Sequence, residues 1–165
     1  MTKRDPGSST TTGTGEGELV LTRIFDASRE LVFRAWTDPR HLAQWWGPNG
    51  FTTPVCEMDV RPGGAFLFHM CGPDGTIYPN KGMFHEVVPP ERLVVTTSAF
   101  EDEAGIPQLE LRNTVTFAEH DGKTRLTLHA VVVKASPKMA GPLAGMEQGW
   151  SQSLDRLATA LATAA

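Results

Sequence analysis

Few residues in this chain have the type and spacing to do chemistry. The five histidines stand at positions 41, 69, 85, 120 and 129. None falls in an HExxH spacing and no CxxC occurs, so no zinc-type or facial-triad metal site is predicted. His69 and Cys71 share a strand face by period-2 spacing, but two ligands do not close a metal site. There is no GxSxG elbow and no Cys/His pair with a visible orienting group, so no activated nucleophile is predicted. What remains is a handful of polar side chains among apolar ones. Asn113 falls on the apolar side of an alternating strand, where an amide without partners costs about 1–3 kcal/mol. It could orient a ligand carbonyl, or bond a neighbouring strand or water. Phe84 and Glu86 share one strand face and His85 takes the other. If Val88 pairs with Leu93, Phe84 and Glu86 point inward; a slip of one residue turns His85 inward instead. Either group would then titrate in an apolar pocket, where a shifted pKa is expected. Tyr78, the only tyrosine, is a candidate donor near a pocket mouth.

These side chains need elements to position them. Residues 18–25 are β-rich and read as a first strand. Ser28 is an N-cap candidate with Glu30 in the first turn, and 31–36 continues as a short helix. Asp38-Pro39 starts a second helix, with Leu42, Trp45 and Trp46 on its apolar side and Gly47-Pro48 at its end. Trp45 and Trp46 read as a lid that packs these helices over a sheet opening. From 51 to about 133 strands alternate with turns at 61–64, 72–75, 88–91, 102–107 and 120–122, which predicts an antiparallel meander. Leu109, Leu111, Val115 and Phe117 share one face, as do Leu126, Leu128, Ala130 and Val132. A helix over about 138–162 supplies the cover. Leu143, Met146, Trp150, Leu154 (or Ser153), Leu157 and Leu161 recur at helical spacing, although Gly141-Pro142 and Gly145 interrupt its start. The acidic run 101–103 reads as a solvated loop.

Composition bounds the rest. The chain has 165 residues, 40% hydrophobic and 21% charged, which suits one globular domain with room for a core and a modest cavity. A formal charge of −4 lacks the footprint of a nucleic-acid binder. No apolar run reaches the ~20 residues of a membrane span, and the N-terminus has no apolar signal core. A cytoplasmic location is expected. Residues 1–17 are Gly/Ser/Thr-rich and predict a disordered tail before a domain at 18–165; their glycines make no phosphate loop. With the turn at 61–64, Cys56 faces about Leu67 and Cys71 about Thr52. The two cysteines then lie about 13 Å apart along the strands. A disulfide needs Cα atoms within roughly 7 Å, so free thiols are predicted.

Four strings carry a resemblance: RIFDASRELVFRAWTDPRHLAQWWGP (23–48), DVRPGGAFLFHMCGPDG (59–75), EVVPPERLVVT (86–96) and GMEQGWSQSLDRL (145–157). Together they resemble the activator of heat-shock protein 90 ATPase homologue-like family. That family is part of the SRPBCC (START-like, Bet v 1-like) superfamily. The resemblance covers about residues 18–163. It implies an α+β helix-grip fold: a strongly curved antiparallel sheet of about seven strands around a long C-terminal helix, with two short helices after the first strand and a cavity between sheet and helix. Similar proteins bind lipids, sterols or polyketides; some are cyclases, and a few bind a chaperone. The name-giving member carries a further N-terminal chaperone-binding domain, whereas only 17 low-complexity residues precede the core here.

One helix cannot fill a sheet curled through such an arc, so its N-terminal half should face a gap and its C-terminal half close the core. The predicted ligand-binding residues are Phe66, Phe68 and Met70 on one strand face, Tyr78, Phe84 and Glu86 on the next strand, Val95 and Thr97, and Asn113. Met139, Leu143, Met146 and Trp150 oppose them on the helix. In the family pattern the positions of Val95 and Thr97 often hold large aromatics, so smaller side chains here should enlarge or reshape the pocket. The expected function is binding of a small hydrophobic or amphipathic molecule, with no cofactor and no metal. Two alternatives stand beside it: a cavity-based enzyme using Glu86, His85 or Tyr78 as acid–base, and a chaperone-associated interaction module. A homodimer is compatible with the sheet edge and apolar rim.

Overall fold

The computed structural model describes residues 9–11 and 17–164. Strand β1 (Ser9–Thr11) pairs with β2 (Glu18–Phe25). The composition of 1–17 predicts no ordered element, so this short strand is a departure. The open edge of β2 offers backbone donors and acceptors that pair with any main chain, whatever its side chains. Residues 1–8 and 12–16 of the predicted tail lie outside the described residues.

Helix α1 (Arg29–Thr37) begins as its sequence dictates. The Ser28 hydroxyl accepts from the Leu31 amide at 3.3 Å, and Glu30 sits in the first turn. Asp38 ends α1 and caps α2 (Pro39–Trp45), accepting from the Arg40 amide at 2.9 Å with Pro39 in the first turn. The strands β3 (Thr52–Met58), β4 (Ala65–Cys71), β5 (Ile77–Val88), β6 (Arg92–Glu101), β7 (Pro107–His120) and β8 (Lys123–Ala135) follow. Every pairing is antiparallel and the sheet order is β1-β2-β8-β7-β6-β5-β4-β3. The meander thus runs from β3 to β8 across the sheet. The link from β2 to β3 must travel from one end of the sheet to the other, and α1 and α2 make that journey. The curved sheet does not close, because β3 and β1 remain its two edges.

The predicted C-terminal helix is not continuous. A 3-10 turn (Pro137–Met139) leads into α3 (Ala140–Ala144), and α4 (Met146–Ala164) starts after Gly145. Glycine at 145 weakens the helical ladder where the break falls. The apolar stripe of α4 buries Leu154, Leu157 and Leu161 against Leu21, Phe25, Phe117, Leu126 and Leu128. This cluster is the core. The sheet faces of β7 and β8 are those the alternation predicts, with Leu126, Leu128 and Ala130 at 0% exposure. The fold is the predicted α+β helix-grip arrangement of seven long strands, a C-terminal helix and two short helices after the first long strand. No helix among the described residues is long and apolar enough to cross a membrane.

Two bulges move residues off their predicted faces. Thr52 pairs with Cys71 as expected, but an extra residue between Thr52 and Val55 puts Cys56 opposite Phe68, not Leu67. Both cysteines are free. In β5 the register shifts between Phe84 and Glu86, so Val88 meets Arg92 and Val87 takes the place opposite Leu93.

Candidate functional site

Sheet and helix separate at one end of the molecule. There the sheet side carries Phe68 and Met70 of β4, Thr97 and Ala99 of β6, and Leu109, Leu111 and Asn113 of β7. Opposite stand Leu143 of α3 and Met146, Gly149, Trp150 and Ser153 of α4. The segment 46–51 supplies the third wall through Trp46, Gly47, Pro48 and Phe51. They enclose a cavity of about 380 Å³, within the size range of small-molecule sites. A second pocket of about 20 Å³ adjoins it, sharing Trp46, Thr97, Asn113 and Trp150 and adding Trp36, Phe66, Phe84 and Val95. The C-terminal half of α4 leaves no such space, since Leu154 and Leu157 are fully buried.

Most predicted site residues therefore converge. Phe68, Met70, Tyr78, Thr97, Asn113, Leu143, Met146 and Trp150 line the larger cavity, and Phe66, Phe84 and Val95 line the smaller pocket. Two do not. Met139 is buried in the 3-10 turn and borders neither space. Glu86 points away from the cavity: its carboxylate accepts from Arg92 Nε at 2.9 Å, and about half of its side chain is exposed. The bulge at His85 is the cause, because one extra residue reverses the alternation beyond it. His85 is not turned inward in exchange. Its Nε2 lies 3.0 Å from the Thr96 hydroxyl, on the face opposite Val95 and Thr97.

An aromatic cluster builds the wall between the two spaces. Trp36 and Trp150 stack with centroids 5.9 Å apart, and Trp46 meets Trp150 edge-on at 5.2 Å. Trp45 is not part of a lid. It is fully buried, its Nε1 donating to the Ala35 carbonyl at 3.0 Å, and only Trp46 reaches the cavity. At the mouth Tyr78 lies between Phe51 and Phe100, at 5.9 and 6.3 Å. Phe100 has a φ of 58°, a left-handed conformation that is costly for an aromatic residue.

The wall at 46–49 is held by α4. Arg156 Nη1 donates to the carbonyls of Trp46, Gly47 and Pro48 at 3.3, 2.9 and 3.1 Å, and Nη2 donates to Gln44 at 3.3 Å. The Gly47 amide donates to Ser153 Oγ at 3.1 Å and the Asn49 amide to Gln152 Oε1 at 3.0 Å. One guanidinium thus ties the last turn of α2, through Gln44, to the three carbonyls that follow the helix. Burial lowers the pKa of Arg156 from its ordinary value. The sequence held a signal for this clamp: Gly149, Ser153 and Arg156 recur at i, i+4 and i+7, a small and polar stripe beside the apolar one. Arg23 was equally hard to foresee. It sits at 3% exposure on the core face of β2, paired with Asp155 at 2.7 Å.

No described residue lining either space carries a formal charge, and Tyr78 is the only titratable one among them. The site can therefore enclose apolar surface, stack aromatic rings and offer a few neutral hydrogen-bonding groups.

Residues 26–162 match the family described as Activator of Hsp90 ATPase homolog 1-like protein. The chain belongs to that family. Its match spans every residue that lines the cavity, from Trp46 to Ser153. Solved structures of similar chains agree with the Hsp90 ATPase activator homologue-like fold. A Chromobacterium violaceum protein is 32% identical with a TM-score of 0.77, over 88% of this chain and 96% of its own. A Nitrosomonas europaea protein is 27% identical, TM-score 0.77, over 91% and 97%. The AHSA1 protein of Silicibacter pomeroyi is 28% identical, TM-score 0.74, over 90% and 99%. No curated protein matches the chain.

Proposed function

We propose that this member of the family binds a small hydrophobic or amphipathic molecule between the curved sheet and the N-terminal half of α4. The observation that carries the reading is the roughly 380 Å³ space with its apolar and aromatic lining. Burial of apolar ligand surface there is favourable at about 25 cal/mol per Å². Phe66, Phe68, Met70, Tyr78, Phe84, Val95, Thr97, Asn113, Leu143, Met146 and Trp150 are the contacts proposed. An acid–base enzyme reading loses support, because Glu86 and His85 lie outside the cavity and only Tyr78 is left to move a proton. A cytoplasmic location is part of this reading, and two unpaired thiols suit it.

Trp46 and Trp150 both border the space, so a bound ligand should alter tryptophan emission. Titration of the full chain with a library of lipids and aromatic compounds should give saturable changes. Native mass spectrometry of freshly purified protein should show retained mass. If the whole library leaves the emission unchanged and the protein carries nothing, the reading is wrong.

A further inference from the structure

We propose that the preferred ligand is uncharged and carries a hydroxyl group, which docks between Trp36 and Asn113 at the small pocket adjoining the main cavity. The inference rests on the ligand-binding reading above. Trp36 and Asn113 are each 6% exposed and both line the pocket of about 20 Å³. Each holds a buried polar atom without a partner: Trp36 Nε1 and Asn113 Oδ1. The Asn113 amide nitrogen is already engaged, donating to Thr97 Oγ1 at 3.3 Å. An indole N–H only donates and an amide oxygen only accepts. A single group that satisfies both must accept one hydrogen bond and give another, which an O–H does. The volume suits one such group, since a water-sized site needs about 10–15 Å³.

The walls set the rest of the ligand. Neither space has a charged side chain among its described lining residues, and an unpaired charge taken out of water is strongly disfavoured. Carboxylates, phosphates and ammonium groups are therefore excluded from the interior. Trp46, Phe68, Tyr78 and Trp150 line the larger cavity, and this aromatic lining favours a ring-containing body.

Calorimetric titration of the full chain at pH 7 with naphthalene, 2-naphthol, 2-methoxynaphthalene and 2-naphthoate tests this. 2-Naphthol should bind about tenfold tighter than naphthalene, the worth of one well-made buried hydrogen bond. The methyl ether can still accept from Trp36 but cannot donate to Asn113 and must fit an added methyl into the small pocket. It should therefore bind more weakly than the naphthol, and the carboxylate should bind at least tenfold more weakly than the naphthol. In Asn113→Leu, and separately in Trp36→Phe, which keeps an aromatic ring, the naphthol-to-naphthalene ratio should fall to about one. Equal binding of naphthol and naphthalene by the parent chain overturns the inference and leaves the binding reading standing; a resident water filling the pocket would give that result. A preference that survives both substitutions, or a tighter ether or carboxylate, also overturns it. Absence of binding by all four compounds overturns this inference, whereas the binding reading falls only if the wider library of lipids and aromatic compounds fails as well.

Discussion

Arg156 shows how one side chain can set the shape of a cavity it does not line. Its guanidinium holds four backbone carbonyls, three of them in the segment that forms a cavity wall. Hydrogen bonds to a charged group contribute more than neutral ones. Arg156→Ala should therefore lower stability by about 2 kcal/mol in urea unfolding and weaken ligand binding with it. Arg156→Lys should recover only part, because an ammonium cannot fork to several carbonyls at once. A loss of stability with ligand affinity unchanged would mean that the wall keeps its place without the clamp. Cys56 gives a prediction of opposite kind. Burial, with Glu57 adding repulsion, pushes its thiol from 9.0 up to about 11. The unfolded chain then releases the proton first, so ionisation favours unfolding. The thiol's contribution to stability is whole below pH 9 and is lost as the pH rises from 9 through 11. Chemical denaturation across that range should show a shallower decline for Cys56→Ser than for the parent. Parallel curves would place Cys56 in water.

At the scale of elements, the turn between β3 and β4 is the most constrained joint. A Cβ on Gly64 would stand 1.8 Å from the Asp59 carbonyl oxygen, a backbone atom that cannot step aside, whereas one on Gly63 meets nothing within 4 Å. Gly63 has a φ of +85°, so Gly63→Ala should cost about 1–2 kcal/mol of backbone strain. Gly64→Ala should cost well over 2 kcal/mol, because the hairpin must open. Its loss would spread to β5, since Gly63 and Gly64 bond the backbone of Phe84 at 2.7 and 2.9 Å. Thermal unfolding of the two variants checks the ranking, and equal effects would refute it. The same joint shows what a sequence reveals and what it hides. The turn residues, the Ser28 and Asp38 caps and the alternation of β7 and β8 were legible, because each is a local preference repeated over neighbouring residues. The facing of Glu86 was not. It depends on one extra residue at His85, and a bulge carries no mark in side-chain type. The shift of Cys56 by one partner has the same origin between Thr52 and Val55. Arg156 and Arg23 were missed for another reason: their partners lie over a hundred residues away in the chain.

For the molecule as a whole, the question is where the interior is full. Two alanines on the inner face answer it by contrast. Ala99 borders the large cavity beside Leu109 and Phe100, and Ala130 is fully buried between β2 and β7. Leucine at Ala130 must force its extra carbons into close-packed surroundings, which costs about 1–3 kcal/mol. Leucine at Ala99 extends into existing space, so its added apolar surface is buried without displacing neighbours. Stability should hold or rise by up to about 1 kcal/mol. The same side chain occupies the volume a ligand needs, so Ala99→Leu should lose both ligand affinity and the ligand-induced rise in Tm that preferential binding to the folded state produces. The two properties move in opposite directions only if the cavity serves a ligand at the expense of packing. Urea unfolding with and without bound ligand measures both. Equal destabilisation at Ala99 and Ala130 would mean that the sheet closes on the helix at both ends in solution, leaving no room for a guest.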